Sequence, residues 1–306
     1  IRNELSFIKP DIVHAHYLTH NAIDVKLSKF CPNVLTAWGS DVRDLDPLNK
    51  LQHFYQKCAI KDASAVTAPS IDLLDMCKKK GADENKCYSI AMPGIDISWY
   101  QKNDRAISIY DEFRIPKNAE FVFSPRAMSP LYRIHRIVDA FCHVRKKRPS
   151  SFLLLMDFNS DKDYLRKIRD MILEKGLEKN SIIISEIKNE QMRKLYAISN
   201  VVVSIPRSDG MPQSIWEAFA SECPVVSGNL KTYEEVIIDK VSGLLVSGED
   251  IIELADAMIE LLINKQLRLR LISKAKRIVR ERGDLFVEMK KMENIYYNLV
   301  ANKYNS

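Results

Sequence analysis

Two acidic side chains, Asp209 and Glu217, stand with seven residues between them in a segment that changes from loop to helix. A carboxylate one turn into a helix can accept two hydrogen bonds from a vicinal diol, and one on the preceding loop can reach a group held at the helix start. That start, near Ser214, offers unpaired backbone N–H groups and a partial positive charge, which suit a phosphate or a sugar oxygen. These residue types predict a site for a phosphorylated, hydroxyl-rich ligand.

The elements that position this pair follow from the local pattern. Residues 200–205 are mostly apolar β-formers and predict a buried strand, and the prolines and glycine between 206 and 212 force a loop. Apolar residues then recur at helical spacing from Ser214 until Pro224, after which another strand begins. Open parallel sheets bind ligands at the carboxyl ends of their strands, where this loop lies. In a simpler interpretation, Asp209 only forms a turn and Glu217 is a solvated helix residue.

The segment 209–226 resembles the signature of the retaining GT-B glycosyltransferases of family 4. In that signature, two acidic residues flank seven others, and an E-A-M-A-type helix leads into P-V-V. Asp209 stands for the first acidic residue and Glu217 for the second, while Pro212 replaces a glycine. The resemblance implies that Asp209 contacts the donor sugar and that Glu217 binds the nucleotide ribose. It also places four neighbours in the donor site, namely Gly210, Met211, Gln213 and Ser214.

A second candidate region follows the predicted strand at 120–124. The family has a glycine and an arginine there, with a lysine a few residues later, and both cations point at the donor pyrophosphate. Arg126 matches the arginine, so the resemblance implies that Arg126 contacts the donor pyrophosphate. A guanidinium can bind phosphate through paired N–H groups. With one inserted residue, Tyr132 aligns with the family's lysine and Arg133 with the position after it. Either Arg133 supplies the second positive charge, or the role of the lysine is lost because Tyr132 stands in its place. The resemblance also places the loop at 186–189 beside the nucleotide base.

The first domain offers His16 and Trp38 as candidates near an interdomain cleft. His14 and His16 share one face of a predicted strand, in a stretch similar to the family's P-D-x-x-H-x-H. Trp38 replaces the histidine of a stretch that resembles T-x-H-G-x-D. Its ring can stack on a sugar but lacks the hydrogen-bonding capacity of an imidazole. Asp41 is expected to cap a following helix. With His20 the two histidines could suggest a metal site, but no carboxylate or cysteine completes it, so no metal is expected.

The length of 306 residues exceeds what one hydrophobic core usually holds, so two domains are expected. The predicted fold class is α/β, a GT-B fold with two Rossmann-like domains facing across a cleft and a truncated first domain. We predict an acceptor-side domain at 1–103, a nucleotide-sugar domain at 104–284 and a helix at 285–306 that crosses back, with the hinge between Pro93 and Asp104. The chain begins at Ile1, and the resemblance implies that an opening strand and its glycine-rich loop are missing.

Composition limits the remaining classes. No apolar run approaches the ~18 residues of a membrane span, and six cysteines without CxxC spacing suggest reduced thiols in a cytoplasmic protein. The net charge of +6 is concentrated in a basic segment at 265–282 with helical spacing. This segment is either a packed helix with a solvated basic face or a helix that lies on an anionic membrane. Aromatic residues do not interleave with the basic runs, so nucleic acid is not expected as a partner.

The resemblance implies transfer of a hexose from a UDP- or GDP-sugar to an acceptor hydroxyl with retention, without a metal or other cofactor. The expected acceptor is a saccharide or a lipid-linked sugar, in polysaccharide or glycolipid synthesis, with peripheral contact at the inner membrane face. Two rival hypotheses stay open. One is a catalytically inactive protein that binds nucleotide-sugar, which the departures at Trp38 and Tyr132 favour. The other is a glycoside hydrolase that uses Asp209 and Glu217 as its acid and base.

Overall fold

A computed structural model describes residues 1–45, 47–102, 107–185 and 187–305. The chain divides into two compact units. Unit 1 contains Ile1–Gly94, Asp209–Met211 and Arg282–Ser306, and unit 2 contains Ile95–Ser208 and Pro212–Glu281. The predicted boundary at 103/104, and with it the end of the predicted hinge at Asp104, lies outside the described residues. The chain changes unit after Gly94, and the predicted C-terminal helix groups with unit 1.

The α-helices and β-strands of the described part of the chain alternate for most of its length. In chain order they are α1 (Arg2–Ile8), β1 (Val13–His16), α2 (His20–Ser28), β2 (Asn33–Thr36), α3 (Lys50–Asp62), β3 (Ala65–Ala68), α4 (Ile71–Lys79), β4 (Cys87–Ser89), α5 (Ile97–Tyr100), α6 (Ile107–Glu112), β5 (Glu120–Ser124), α7 (Ile134–Lys147), β6 (Ser151–Asp157), α8 (Lys162–Glu174), β7 (Ser181–Ser185), α9 (Asn189–Ile198), β8 (Val201–Ser204), α10 (Gln213–Ala220), β9 (Val225–Gly228), α11 (Lys231–Glu234), β10 (Leu244–Val246), α12 (Ile251–Ile263), α13 (Lys265–Arg282) and α14 (Leu285–Asn305).

Unit 1 is built on a parallel sheet whose described strands run in the order β1-β2-β3-β4. Successive side chains of a strand point to opposite faces, so this sheet needs cover on both sides. Leu35 packs on one face in a core shared with residues of α2 and α4. Val34 packs on the other face, where Met292 and Ile295 of α14 cover it. The C-terminal helix therefore completes the core of unit 1.

Unit 2 is built on a parallel sheet in the order β10-β9-β8-β5-β6-β7, counted over the described strands. Numbered from β5, this is the doubly wound order 3-2-1-4-5-6, so the chain reverses its direction of winding between the neighbours β5 and β8. Both faces are covered, because Val122 joins the core formed with α7 and α12 while Phe123 meets Tyr196 of α9 edge-on. In such sheets, the ligand crevice lies at the carboxyl ends of the strands where the winding reverses. The predicted α/β class is confirmed in both units.

No helix among the described residues is long and apolar enough to cross a membrane. The six cysteines have free thiols, in agreement with the scattered spacing. The basic segment at 265–282 forms the single helix α13, in which Leu267, Leu271, Ala275 and Val279 are buried. The predicted packed face of that helix is therefore present, and its contact with a membrane stays a prediction.

Candidate functional site

The winding of unit 2 brings two predicted site segments to the same place. Strand β5 ends at Ser124, two residues before Arg126, and its neighbour β8 ends at Ser204, before the loop that leads to α10. Because both strands are parallel and adjacent, their carboxyl ends meet at one edge of the sheet. Two stretches far apart in the sequence thus lie together at the edge of the sheet where this type of fold has its ligand crevice.

Arg126 is buried and held by its neighbours, although arginine side chains are usually exposed to solvent. It is only 8% exposed, and its Nη1 donates to Oγ of Ser214 at 3.0 Å. Its guanidinium lies 4.2 Å from the ring centre of Tyr132, a cation–π contact. Ser214 stands in the first turn of α10, whose cap residue, Pro212, makes no side-chain capping bond. A fixed guanidinium beside a helix N-terminus is a site suited to an anion.

A cavity of about 480 Å³ opens beside this guanidinium, within unit 2. Five of the predicted site residues line it, namely Arg126, Tyr132, Gln213, Ser214 and Glu217. Phe158 and Met192 add apolar surface to its wall. The predicted base-contacting loop at 186–189 begins with a residue outside the described part of the chain. The cavity therefore brings together a guanidinium, a carboxylate and apolar surface.

Glu217 has partners that the sequence does not reveal. Tyr100 donates its phenol proton to Oε1 at 2.9 Å, and Tyr196 donates to Oε2 at 2.7 Å. Both bonds join parts of the chain that are far apart in the sequence, so no local sequence pattern predicts them. The simpler interpretation of Glu217 as a solvated helix residue is wrong, because the side chain lines the cavity and two phenols orient it.

Arg133 has a different environment from Arg126. It is the cap residue that precedes α7, with a left-handed φ of 52°, and its Nη2 lies 2.7 Å from Oε1 of Glu249. Arg136 contacts the other carboxylate oxygen of Glu249 at 2.9 Å. Tyr132, and not Arg133, is among the residues that line the cavity. A role for Arg133 in binding the donor phosphate stays a prediction.

The residues Asp209, Gly210 and Met211 group with unit 1. Oδ1 of Asp209 accepts a hydrogen bond from the backbone N–H of Gly210 at 2.8 Å. A Cβ atom added to Gly210 would lie 2.4 Å from the carbonyl oxygen of Trp38, which is closer than two such atoms can approach. Glycine is therefore required where this tripeptide passes the Trp38 backbone.

The turn that carries Trp38 is held by a buried carboxylate. Asp41 is 2% exposed and accepts from three backbone N–H groups, those of Leu18, Trp38 and Gly39 at 2.7, 3.1 and 2.7 Å. Burial raises the pKa of Asp41, and the three backbone donors oppose that shift. The predicted helix after Asp41 is wrong, because residues 40–44 form turns. The carboxylate instead binds backbone that precedes it.

His16 lies in an aromatic row of unit 1. Its ring centre is 5.9 Å from that of Trp38 and 4.1 Å from that of His14, on which it stacks. Nδ1 of His14 is 2.5 Å from the phenol oxygen of Tyr296, and Nε2 is 2.6 Å from Oγ1 of Thr36. Burial, and secondly His16, lower the pKa of His14 to about 4. Among the described residues, no group of three His, Cys, Asp or Glu side chains could hold a metal ion.

Comparison with known proteins agrees with this architecture. The protein is similar in fold to Anabaena HepE, solved in complex with UDP, with a TM-score of 0.85 at 19% identity over 97% of this chain and 82% of that one. With its two parallel-sheet units, the chain has the GT-B glycosyltransferase fold, and the predicted α/β class and GT-B fold are confirmed. The profile of glycosyl transferases group 1 matches residues 108–278, and that of glycosyl transferase 4-like proteins matches residues 2–70. The chain belongs to the glycosyl transferases group 1 family.

Two curated relatives show the range of activities among similar proteins. N-acetyl-alpha-D-glucosaminyl L-malate synthase of Bacillus anthracis is 24% identical over 303 residues, 96% of this chain and 76% of its own length. Poly(ribitol-phosphate) alpha-N-acetylglucosaminyltransferase of Staphylococcus aureus (strain COL) is 28% identical over 170 residues. That match covers 55% of this chain and 34% of the relative.

Proposed function

We propose that this protein transfers a hexose from a nucleoside diphosphate sugar to an acceptor hydroxyl, with retention of anomeric configuration and without a metal. One observation carries the proposal: the cavity of unit 2 has Arg126 and the start of α10 at one end and Glu217 one turn further along the same helix. Three residues of helix rise by ~4.5 Å, a step comparable with that from a phosphate to the hydroxyls of the attached ribose. This spacing supports a diphosphate and its ribose as the groups that the cavity would bind.

In the proposed reaction, the bond between the anomeric carbon and the phosphate oxygen breaks, and a bond from that carbon to the acceptor oxygen forms. The acceptor proton leaves with the phosphate or to water. Negative charge grows on the departing diphosphate, where Arg126 and the α10 N-terminus stabilise it. Asp209 orients the donor sugar. No side chain is assigned as a nucleophile.

The comparisons support UDP as the first nucleotide to test, because structures of Anabaena HepE are described in complex with UDP and with UDP-glucose. GDP-sugars are the second candidate. The acceptor classes in the proposal are a saccharide and a lipid-linked sugar, in polysaccharide or glycolipid synthesis, and the Staphylococcus aureus relative is named for transfer to a polymer. Contact of the basic helix α13 with the cytoplasmic membrane face is part of the same proposal.

A non-catalytic nucleotide-sugar-binding protein is the second candidate. Trp38 favours it, since an indole cannot supply the hydrogen bonds of the histidine that the family usually has there. The glycoside hydrolase hypothesis needs one carboxyl of the pair to be a protonated acid. Both oxygens of Glu217 accept phenol protons, an arrangement that suits an ionised carboxylate.

Calorimetric titration of the chain with UDP, GDP, UDP-glucose and GDP-mannose tests the proposal. We expect Arg126→Ala to weaken nucleotide binding about hundredfold, because it removes a buried, charge-assisted phosphate contact. Asp209→Ala should weaken UDP-glucose binding more than UDP binding. Arg166→Ala removes an exposed arginine of unit 2, paired only at the surface with Asp163, and should leave affinity unchanged. If no nucleotide binds the wild-type chain, the proposal is wrong.

Incubation with the bound donor and a panel of sugar acceptors then separates the two candidates. Transfer, or slow release of the hexose to water, supports an enzyme. Binding without either reaction supports the non-catalytic protein, and cleavage of a simple glycoside that is insensitive to UDP and GDP would support the hydrolase.

A further inference from the structure

Glu217 carries a more constrained carboxylate than ribose binding by itself would require. Each of its two oxygens already accepts one phenol proton, from Tyr100 at 2.9 Å and from Tyr196 at 2.7 Å. An ionised carboxylate offers about four acceptor positions. Two positions, one on each oxygen, are therefore left, and the side chain lines the cavity that holds the proposed nucleotide site.

The two phenols are permanent donors. Burial and the negative charge of Glu217 raise the pKa of both Tyr100 and Tyr196 above that of a free tyrosine, so both phenols keep their protons at neutral pH. Tyr196 could also donate to the backbone oxygen of Ser214, but that contact is 3.4 Å long. A charge-assisted bond at 2.7 Å is the stronger alternative. The proton of Tyr196 therefore points at the carboxylate.

The phenols are themselves fixed by packing within unit 2. Tyr196 is fully buried, and its ring meets Phe123 edge-on at 5.2 Å between centres and Tyr100 at 6.4 Å. Tyr100 also packs against Trp99 at 4.9 Å, and the guanidinium of Arg193 lies 5.4 Å from the Trp99 ring centre. Arg193 is 2% exposed and donates to the backbone oxygen of Lys102 at 3.0 Å. Short helix α5 is thereby attached to α9, which places the phenol of Tyr100 at Oε1.

We propose that Tyr100 and Tyr196 are positioning residues that hold the carboxylate of Glu217 in one orientation, with its two remaining acceptor positions directed at a vicinal diol. This inference rests on the proposed function. It makes the two phenols responsible for a preference of the site for nucleotides that carry both ribose hydroxyls. A carboxylate free to rotate would lose entropy on binding the diol. Two fixed donors remove that cost before the ligand arrives.

The experiment compares UDP and GDP with their 2′,3′-dideoxy analogues in calorimetric titrations of the full chain. For wild type, we expect the ribose nucleotide to bind about tenfold or more tightly than the dideoxy analogue, because the diol makes two bonds to a charged acceptor. In Tyr100→Phe and in Tyr196→Phe, that ratio should fall about three- to tenfold, while affinity for the dideoxy analogue stays within about twofold. A merely structural role would weaken both ligands alike.

Tyr164→Phe is the matched control. Tyr164 is a largely buried tyrosine of unit 2 whose phenol contacts His135, and it does not line the cavity. It should leave the ratio unchanged. Thermal unfolding verifies that each variant folds, and if Tyr196→Phe does not fold, Tyr100→Phe decides alone. An unchanged ratio in the folded variants, with nucleotide binding intact in wild type, overturns the inference and leaves the proposed function standing. Absence of nucleotide binding in wild type overturns both.

Discussion

The two units build their candidate site residues in different ways. In unit 2, side chains bind side chains: Arg126 donates to Ser214, and the phenols of Tyr100 and Tyr196 donate to Glu217. In unit 1, the segment with Trp38 is held by backbone groups that converge on one buried carboxylate, Asp41. The first arrangement presents charge to a cavity, and the second uses its charge to fix the chain.

The difference has a consequence for mutations. A side chain of unit 2 that faces the cavity keeps part of its hydrogen-bonding capacity for a ligand, so its removal should reduce affinity before it reduces stability. Asp41 is buried, and its recognised partners are backbone donors of its own unit, so its removal should reduce stability first. Each of the following predictions tests one side of this contrast.

The largest effect is expected for Asp41→Ala. The change leaves three backbone N–H groups without their acceptor, those of Leu18 and Gly39 buried and that of Trp38 partly buried, at a cost of about 3 kcal/mol in the free energy of unfolding of unit 1. Hydrogen exchange read by mass spectrometry should show faster exchange in peptides from 13–45, with little change in 213–220. Asp62→Ala, which removes an exposed acid of the same unit, serves as control. A cost below about 1 kcal/mol for Asp41→Ala would contradict the assigned role.

The sequence was sufficient for the elements of the site but not for their partners. The strand β8, the loop after it and the helix α10 follow from apolar spacing and from the prolines and glycine around them, since these constraints act within a few residues. The partners of Glu217 are Tyr100 and Tyr196, 117 and 21 residues away along the chain. Only the packing of α5 and α9 in unit 2 brings them together, and periodicity carries no information about that.

Asp41 shows the same limit over a shorter distance. An aspartate just before an expected helix predicts a cap, because its side chain can accept hydrogen bonds from backbone N–H groups two or three residues later. The carboxylate instead accepts from Leu18, Trp38 and Gly39, all of which precede it. One of these three donors is 23 residues away, so the choice between forward and backward partners was made by the fold of unit 1.

A second prediction concerns the pH dependence of stability, which we expect His14 of unit 1 to determine. The folded-state pKa of His14 is lowered from 6.5 to about 4, so the unfolded chain takes up a proton first as the pH falls. Stability from this group is complete above pH 6.5 and is lost between pH 6.5 and 4, by about 3 kcal/mol. The groups that face His14 are His16, Thr36 and Tyr296, and burial lowers the pKa of His16 in the same direction.

The measurement is the free energy of unfolding in urea at pH 7 and at pH 4.5 for wild type and for His14→Gln. The variant keeps a polar side chain but cannot titrate, so its loss of stability over this range should be smaller than that of wild type. His20→Gln, at an exposed position, should retain the wild-type dependence. An identical pH dependence in wild type and His14→Gln would show that His14 does not carry the effect.

The smallest effect is expected at an ion-pair cluster of unit 2 outside the residues that line the cavity, where Glu249 contacts both Arg133 and Arg136. Its side chain is 59% exposed, so these ion pairs contribute no more than about 1 kcal/mol. If Arg133 assists Arg126 in attracting the diphosphate, Glu249→Gln should free that charge and tighten UDP binding about two- to threefold, an effect that high salt should abolish. Asp256→Asn, which breaks the exposed pair with Lys147 in the same unit, should change nothing. Unchanged or weaker UDP binding in Glu249→Gln would show that Arg133 does not attract the diphosphate, because removal of its ion-pair partner would then bring no gain in affinity. Arg126 and the N-terminus of α10 would remain as the positive part of the site.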